Sequence, residues 1–285
     1  MPSLIDIRRR IRSVKNMQQI TKAMKMVSAA KLRRAQDRAI ASRPYGKIMH
    51  RVLSNLAAAA AGDQAVADLP LLQTREEKRI QLIVVSSDTG LAGGFNANLF
   101  RMAHRFLDEH RGAEISIETV GRKGRDYFRK RNFTITGEHI GIVEKPNYEQ
   151  ARAIADKMID RYRKSEVDAV YIALNEFKNI MASNLVAKRI LPVEVPEGGE
   201  QINYIYEQPP EELLRVLLPR YIEMEIFRAM LESISAYHAA RMTAMDSATS
   251  NAGDVIQTLT LNMNRVRQAA ITREIIEIVS GAAAL

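Results

Sequence analysis

The two ends of this chain are long, nearly free of glycine and proline, and periodic in their apolar residues, which leaves few folds open. From about Ser3 to about Ala61 no glycine occurs before Gly46, and Pro44 is the one early break. Ile7, Ile11, Val14, Met17, Ile20, Met24 and Val27 follow at intervals of 4, 3, 3, 3, 4 and 3, a spacing that predicts one apolar stripe on one helix face. At about 1.5 Å per residue such a helix runs roughly 80 Å, longer than an ordinary domain is wide.

The other end mirrors the first. After Pro219 neither glycine nor proline occurs until Gly253, and then none until Gly281. Ile256, Leu259, Met263, Val266 and Ala270 repeat at 3, 4, 3 and 4, and Ile271, Ile275, Ile278, Ala282 and Leu285 continue from a seam shifted by one residue. With Leu231 and Ile234 this second helix approaches about 95 Å. Small residues fill its middle from Asp246 to Asp254. Either the helix breaks there or a neighbouring backbone comes very close. The close approach is favoured, because Ala and Ser line helix contacts without ending them and Gly253 costs only about 1 kcal/mol.

Between the ends the signals alternate. Residues 62–79 read as a linker, with Gly62, Pro70 and the charged run Arg75 to Arg79. Ile80 to Val85, Glu114 to Val120 and Ala169 to Leu174 read as strands; Asn98 to His110, Arg122 to Arg131 and Ala151 to Lys164 read as helices. That order predicts a small open α/β sheet with helices on its faces. The expected organisation is a coiled-coil helix over 1–61, the linker, an inserted α/β domain over 80–208 and a second coiled-coil helix over 209–285. Each end needs a partner for its stripe, and the simplest packing sets the two helices antiparallel against each other.

Composition narrows the function. The 285 residues are 46% hydrophobic, enough for a real core, yet no run of about 18 uncharged apolar residues occurs to span a bilayer. Arg8, Arg9, Arg10 and Arg12 replace the apolar block of a secretory signal, so the chain reads as kept on the cytoplasmic side. With no cysteine there are no disulfides, thiol nucleophiles or thiolate metal sites. The net charge of +9 is concentrated: residues 1–60 hold 14 Lys and Arg against Asp6 and Asp37 alone. A basic block of that kind calls for an acidic partner, whether nucleic acid, an anionic membrane face or an acidic protein surface, unless it is simply a solvated face.

No motif supports a reaction. Ser86 to Asn96, with Gly90, Gly93 and Gly94, follows a strand and precedes a helix, where phosphate loops occur. It lacks both the Lys-Ser/Thr ending of a P-loop and the G-x-G-x-x-G spacing, so it reads as a tight turn, with Asp88 beside Ser86 and Ser87 as turn chemistry. Gly121-Arg-Lys-Gly124-Arg125 reads as a solvated second turn in preference to an anion site. The five histidines include no H-E-x-x-H pair, and His104 and His110 fall on different faces of one helix. There is no G-x-S-x-G elbow, and Glu274 and Glu277 read as solvated acids. The expectation is a chain with no catalytic, cofactor-binding or metal-binding residue.

Three blocks carry a resemblance. Ile7-Arg-Arg-Arg-Ile-Arg-Ser-Val-Lys-Asn16 with Ile20 to Val27, Gly90-Leu-Ala-Gly-Gly-Phe-Asn96, and Ile271-Thr-Arg-Glu-Ile-Ile-Glu-Ile-Val-Ser-Gly-Ala-Ala resemble the gamma subunits of F-type ATP synthases, in order and over nearly the whole chain. The last block is the most specific. The resemblance implies an antiparallel coiled coil of the two ends with a Rossmann-like domain at its base. It implies a rotor shaft: the coil stands inside a ring of alternating alpha and beta subunits, and the foot rests with the epsilon subunit on the membrane ring of c subunits. Proton flow then turns the shaft, which drives the beta subunits through their nucleotide states.

The same resemblance implies beta-subunit contacts at Met24, Lys25 and Arg241, facing an acidic beta segment, and at Arg267, Gln268, Thr272 and Glu274. It implies contacts with the c ring and epsilon at Tyr204, Tyr206 and Glu207. Ala92 stands where many relatives have cysteine, and the chain lacks the cysteine-bearing insertion of the chloroplast form. A bacterial protein on the cytoplasmic face of the cell membrane is the expected setting. The competing reading is a coiled-coil nucleic-acid-binding protein using the basic helix on phosphates, against which no aromatics interleave for base stacking.

Overall fold

The computed structural model describes residues 3–60, 63–142, 146–180, 182–194 and 208–283. In chain order the elements are α1 (Leu4–Ala59), α2 (Gln64–Ala67), β1 (Arg79–Val85), α3 (Phe95–Glu109), β2 (Glu114–Val120), α4 (Arg122–Arg129), β3 (Ile135–His139), α5 (Tyr148–Arg163), β4 (Ala169–Phe177), β5 (Ser183–Leu191) and α6 (Pro210–Ala283). The chain divides into two compact units: Met1–Ala29 with Arg241–Leu285, and Ala30–Ala240.

Helix α1 runs through Pro44 and α6 through Pro219. A mid-helix proline strands the carbonyl four residues back, here those of Ile40 and Arg215. Both of those residues are exposed, so water can take the missing bond. The small-residue stretch from Asp246 to Asp254 also remains helical, in accord with the close-approach expectation.

In the first unit the two helices pair antiparallel. Gln18 Nε2 donates to the Thr249 carbonyl at 3.3 Å, Thr249 Oγ1 donates to Thr21 Oγ1 at 2.8 Å, and Lys25 Nζ reaches Asp246 Oδ1 at 2.6 Å. As α1 advances α6 retreats, with paired numbers summing to about 270. Buried or half-buried positions on α1 include a run at Ile7, Ile11, Val14, Gln18, Thr21, Lys25 and Ser28, with Met24 half-buried beside Lys25. The run is an unbroken heptad of alternating fours and threes. The expected stripe therefore holds as far as Val14 and beyond it only in half-buried Met24. Met17, Ile20 and Val27 are 56%, 59% and 55% exposed, and polar residues take the inward places one position later. On α6, Met245, Thr249, Ala252, Ile256, Leu259, Met263, Val266 and Ala270 face inward at the same spacing. The expected second seam at Ile271, Ile275 and Ile278 is exposed throughout, because with this pairing α1 has already ended.

The second unit holds a five-stranded sheet in the order β3-β2-β1-β4-β5, parallel except for β5, which pairs antiparallel with β4. β1 pairs in register with β2, Ile80 opposite Ile115 through Val85 opposite Val120, and with β4 on its other side. Six of the seven β1 residues are buried, as a central parallel strand covered on both faces requires. Ile80, Leu82 and Val84 pack against α3 and α4 through Leu99, Phe100, Met102, Phe106 and Phe128. Ile83 and Val85 belong to the opposite layer, with Ile154, Met158 and Tyr162 of α5, Leu53 and Leu56 of α1, and Leu218, Ile222 and Met230 of α6. Helix α5 begins in a capping box built by Asn147 and Gln150.

Strands β3 and β5 were not among the expected ones. β3 carries Gly137, Glu138 and His139, and β5 carries Ala187, Lys188 and Arg189, compositions with little strand preference. Both are edge strands, held by one neighbour each.

Candidate functional site

In a doubly wound sheet the ligand crevice opens where the strand order reverses, here beyond the carboxyl ends of β1 and β4. The glycine turn after β1 lies at that place, and the chain itself fills it. Ser233 Oγ of α6 donates to the Val85 carbonyl at 3.1 Å, and the Tyr237 hydroxyl lies 2.5 Å from Thr89 Oγ1. The Tyr237 ring meets Phe95 edge-on at 5.5 Å, in a small cluster with Ala92 and Ala236.

Groups around the turn are also engaged with one another. Asp88 Oδ1 accepts the backbone N–H of Arg122, at the start of α4, and that of Gly141, both at 3.0 Å. Ser86 Oγ accepts the Gly124 N–H at 2.8 Å and donates to the Val120 carbonyl at 3.0 Å. Ser87 and Asn96 bond each other across the turn at 2.8 Å. Gly121 has φ +102, and a Cβ there would lie 2.5 Å from the Ser86 carbonyl oxygen, so that glycine is required by both conformation and space. This region is a closed joint between sheet and helix, the tight-turn reading of the sequence. Among the described residues no group of three His, Cys, Asp or Glu is placed to hold a metal ion, and no helix is long and apolar enough to cross a membrane.

The described residues expected to meet partner subunits lie on the helical pair. Met24 and Lys25 are half-buried on α1, with the Lys25 side chain 40% exposed despite its bond to Asp246. Arg241 is half-buried on α6, five residues before Asp246, or about 7.5 Å along the axis. These three share one stretch of the pair. Arg267, Gln268, Thr272 and Glu274 are all exposed near the far end of α6, where the Thr272 hydroxyl donates to the Gln268 carbonyl at 2.9 Å. Every residue from Ile271 to Ser280 is exposed, including Ile271, Ile275, Ile276, Ile278 and Val279. Tyr204, Tyr206 and Glu207 lie outside the described residues.

Sequence reasoning missed Gln18, Thr21 and Ser28 as inward residues, and Ser233 and Tyr237 as the groups that fill the crevice. The first three were readable from the unbroken heptad, had spacing been ranked above hydrophobicity. The last two carry no local signal, since their partners lie about 148 residues away.

Comparison with known proteins decides the family. The family described as ATP synthase matches residues 3–285. The ATP synthase gamma chain of Solibacter usitatus is 61% identical over 284 residues, covering 100% of this chain and 99% of that one. The chain belongs to the ATP synthase gamma family. The gamma chain of an Anaeromyxobacter species is 51% identical over 290 residues, with both chains fully covered. Solved structures share the fold at low identity. A rotor chain of the Euglena gracilis mitochondrial ATP synthase superposes with a TM-score of 0.65 at 17% identity, covering 94% of this chain and 98% of that one. A central-stalk chain from Tetrahymena thermophila gives 0.60 at 23%, covering 80% and 99%. A gamma chain is a non-catalytic subunit of its complex, in keeping with the closed crevice.

Proposed function

We propose that this gamma-family chain is the central shaft of a bacterial ATP synthase, turned by proton flow through a membrane ring of c subunits and coupling that rotation to ATP synthesis or hydrolysis. The helical pair stands within the ring of alternating alpha and beta subunits. The α/β unit rests with epsilon on the c ring, at the cytoplasmic face of the membrane.

One observation carries this reading: the last turns of α6 present Ile271, Ile275, Ile276, Ile278 and Val279 over about half of the helix surface, all exposed, and among the described residues no helix covers them. A broad apolar face left uncovered calls for partners to bury it, and the charged residues on the other side, Arg273, Glu274 and Glu277, suit polar contacts, which surrounding alpha and beta subunits would supply together. In this arrangement Arg267, Gln268, Thr272 and Glu274 meet the upper part of the beta subunits. Met24, Lys25 and Arg241 pass an acidic beta segment, and Tyr204, Tyr206 and Glu207 serve the foot.

The test is to isolate the membrane complex that contains the chain and identify its other subunits, then to follow a bead fixed to a cysteine placed in the α/β unit while ATP is supplied. Stepwise rotation of the bead is expected. Recovery of the chain with nucleic acid and without alpha and beta subunits would overturn the reading, as would a bead that stays still while the complex hydrolyses ATP.

A further inference from the structure

Helix α1 has two faces that could meet α6, and it buries the more polar one. Continuing from Val14 by two steps of three, then by four and three, would turn Met17, Ile20, Met24 and Val27 inward, a local overwinding that coiled coils accommodate. Each of these residues sits one position before a residue that is actually inward: Gln18, Thr21, Lys25 and Ser28. Hydrophobic burial alone would choose the first set, since Met17, Ile20 and Val27 remain more than half exposed in the arrangement adopted.

What the adopted face has is hydrogen bonding matched residue by residue to α6. Gln18 Nε2 donates to the Thr249 carbonyl at 3.3 Å, and a Cβ on Gly253 would stand 3.3 Å from the same nitrogen, so that glycine gives the amide room. The Thr21 hydroxyl donates to the Gln18 carbonyl at 3.0 Å and accepts from Thr249 Oγ1 at 2.8 Å. Lys25 closes the layer on Asp246 at 2.6 Å. A rotation that buried Ile20 would turn these groups away from their partners, and a polar side chain in a helix seam is a known means of fixing alignment at some expense of stability.

We propose that this polar layer, Gln18, Thr21 and Lys25 against Thr249 and Asp246, sets the rotational phase of α1 on α6 and so holds the apolar face of Met17, Ile20 and Val27 outward. The layer selects which face is buried; the apolar layers on either side supply the attraction between the helices. This phase is set within the chain, whichever partner meets the outward face.

The chain has no cysteine, so single reporters can be read in the full-length protein by maleimide labelling. Ile20→Cys reports the outward face and Ala252→Cys, at a position 7% exposed, reports the closed seam. Each is measured in the parent sequence, in Asp246→Ala/Thr249→Val, and in Thr249→Ser, which keeps the hydroxyl. In the parent, Ile20→Cys labels fast and Ala252→Cys slowly. Removal of the α6 partners should slow labelling at Ile20→Cys by about tenfold or more, as the unlabelled phase becomes the populated one, while Ala252→Cys stays slow. Thr249→Ser should behave as the parent. Unchanged fast labelling at Ile20→Cys with Ala252→Cys still slow would overturn the proposal, because the phase would then be set elsewhere. Fast labelling at both reporters would overturn it too, since the layer would then be holding the helices together instead of choosing between faces.

Discussion

Lys157 Nζ on α5 lies 2.8 Å from each carboxylate oxygen of Glu118 on β2, and this pair ties the helix to the sheet. His139 Nε2 at 2.8 Å and Thr136 Oγ1 at 2.9 Å complete the shell of a carboxylate with no exposed surface. Gly137 leaves the space, for a Cβ there would stand 2.1 Å from Glu118 Oε1. Burial alone would push the Glu118 carboxyl up; the bonds from His139 and Lys157 outweigh it and hold the group below the usual carboxylate range. A lowered folded-state value means stability that is present above the ordinary glutamate range of about 4.3 and lost as pH falls through the folded value. Lys157→Met should therefore destabilise the chain at neutral pH. Its side chain is 36% exposed, which places the cost near the lower end for a broken buried pair, about 2–3 kcal/mol. Urea denaturation at pH 7 and pH 4 checks this: the difference between variant and parent should shrink toward the acid side, and an undiminished difference would mean that the pair's charge is not the cause.

The joint after β1 makes a second expectation. Gly121→Ala places a methyl 2.5 Å from a backbone oxygen at a φ of +102 that alanine rarely adopts, so backbone and sheet must shift together. The loss should be about 3 kcal/mol or more, read as a drop in urea midpoint. Calorimetry of the purified chain with ATP and with NAD should show no binding heat, since Asp88 already occupies the Arg122 and Gly141 donors and Tyr237 lies across the turn. A saturable signal for either nucleotide would show that the crevice opens.

These two sites also mark where sequence reading succeeds and where it stops. The central strands were legible because β1 and β4 are buried on both faces and so are mainly apolar, with Gln81 and Asn175 as buried exceptions. The long helices were legible because a period of 3.5 over dozens of residues admits little else. The edge strands were hidden, since β5 owes its conformation to pairing with β4 from Val170 to Phe177 and its own Ala, Lys and Arg argue for helix. The inward face of α1 beyond Val14 was misread for a related reason: hydrophobicity marks a seam only where the seam is apolar, and here Thr21 and Ser28 are buried while Ile20 is not. Of the site residues, the resemblance supplied the positions, and burial now separates half-buried Met24, Lys25 and Arg241 from the fully open Arg267 to Glu274 group.

The open tip of α6 predicts an unusual tolerance. Ile271 through Ser280 are exposed and make no core contribution, so a chain ending at Ala270 should keep its thermal midpoint within about 2 °C of the parent. Scanning the far-ultraviolet signal on heating checks this. A fall of more than about 5 °C would mean that the isoleucines of the tip pack against something in the free chain.

The pairing of the two helices gives the most specific expectation. Contacts of Gln18 and Thr21 with Thr249, and of Lys25 with Asp246, fix antiparallel numbers that sum to about 270, which sets Val14 level with Ile256. Both are half-buried on facing heptad positions. Val14→Cys/Ile256→Cys should form a disulfide readily under mild oxidation, because residues meeting across a helix seam approach the Cβ separation of about 3.8 Å that the bond needs. Met17→Cys/Ile256→Cys is the control. Met17 is 56% exposed and lies about 60° from Val14 and about 100° from Gln18 around the helix, so its thiol points to solvent and the same oxidation should leave it mostly reduced. Unequal yields in that direction, read as band shifts after limited cleavage between the helices, support the polar seam. Equal or inverted yields would place Met17 inside, and with it the whole apolar face that the adopted phase leaves exposed.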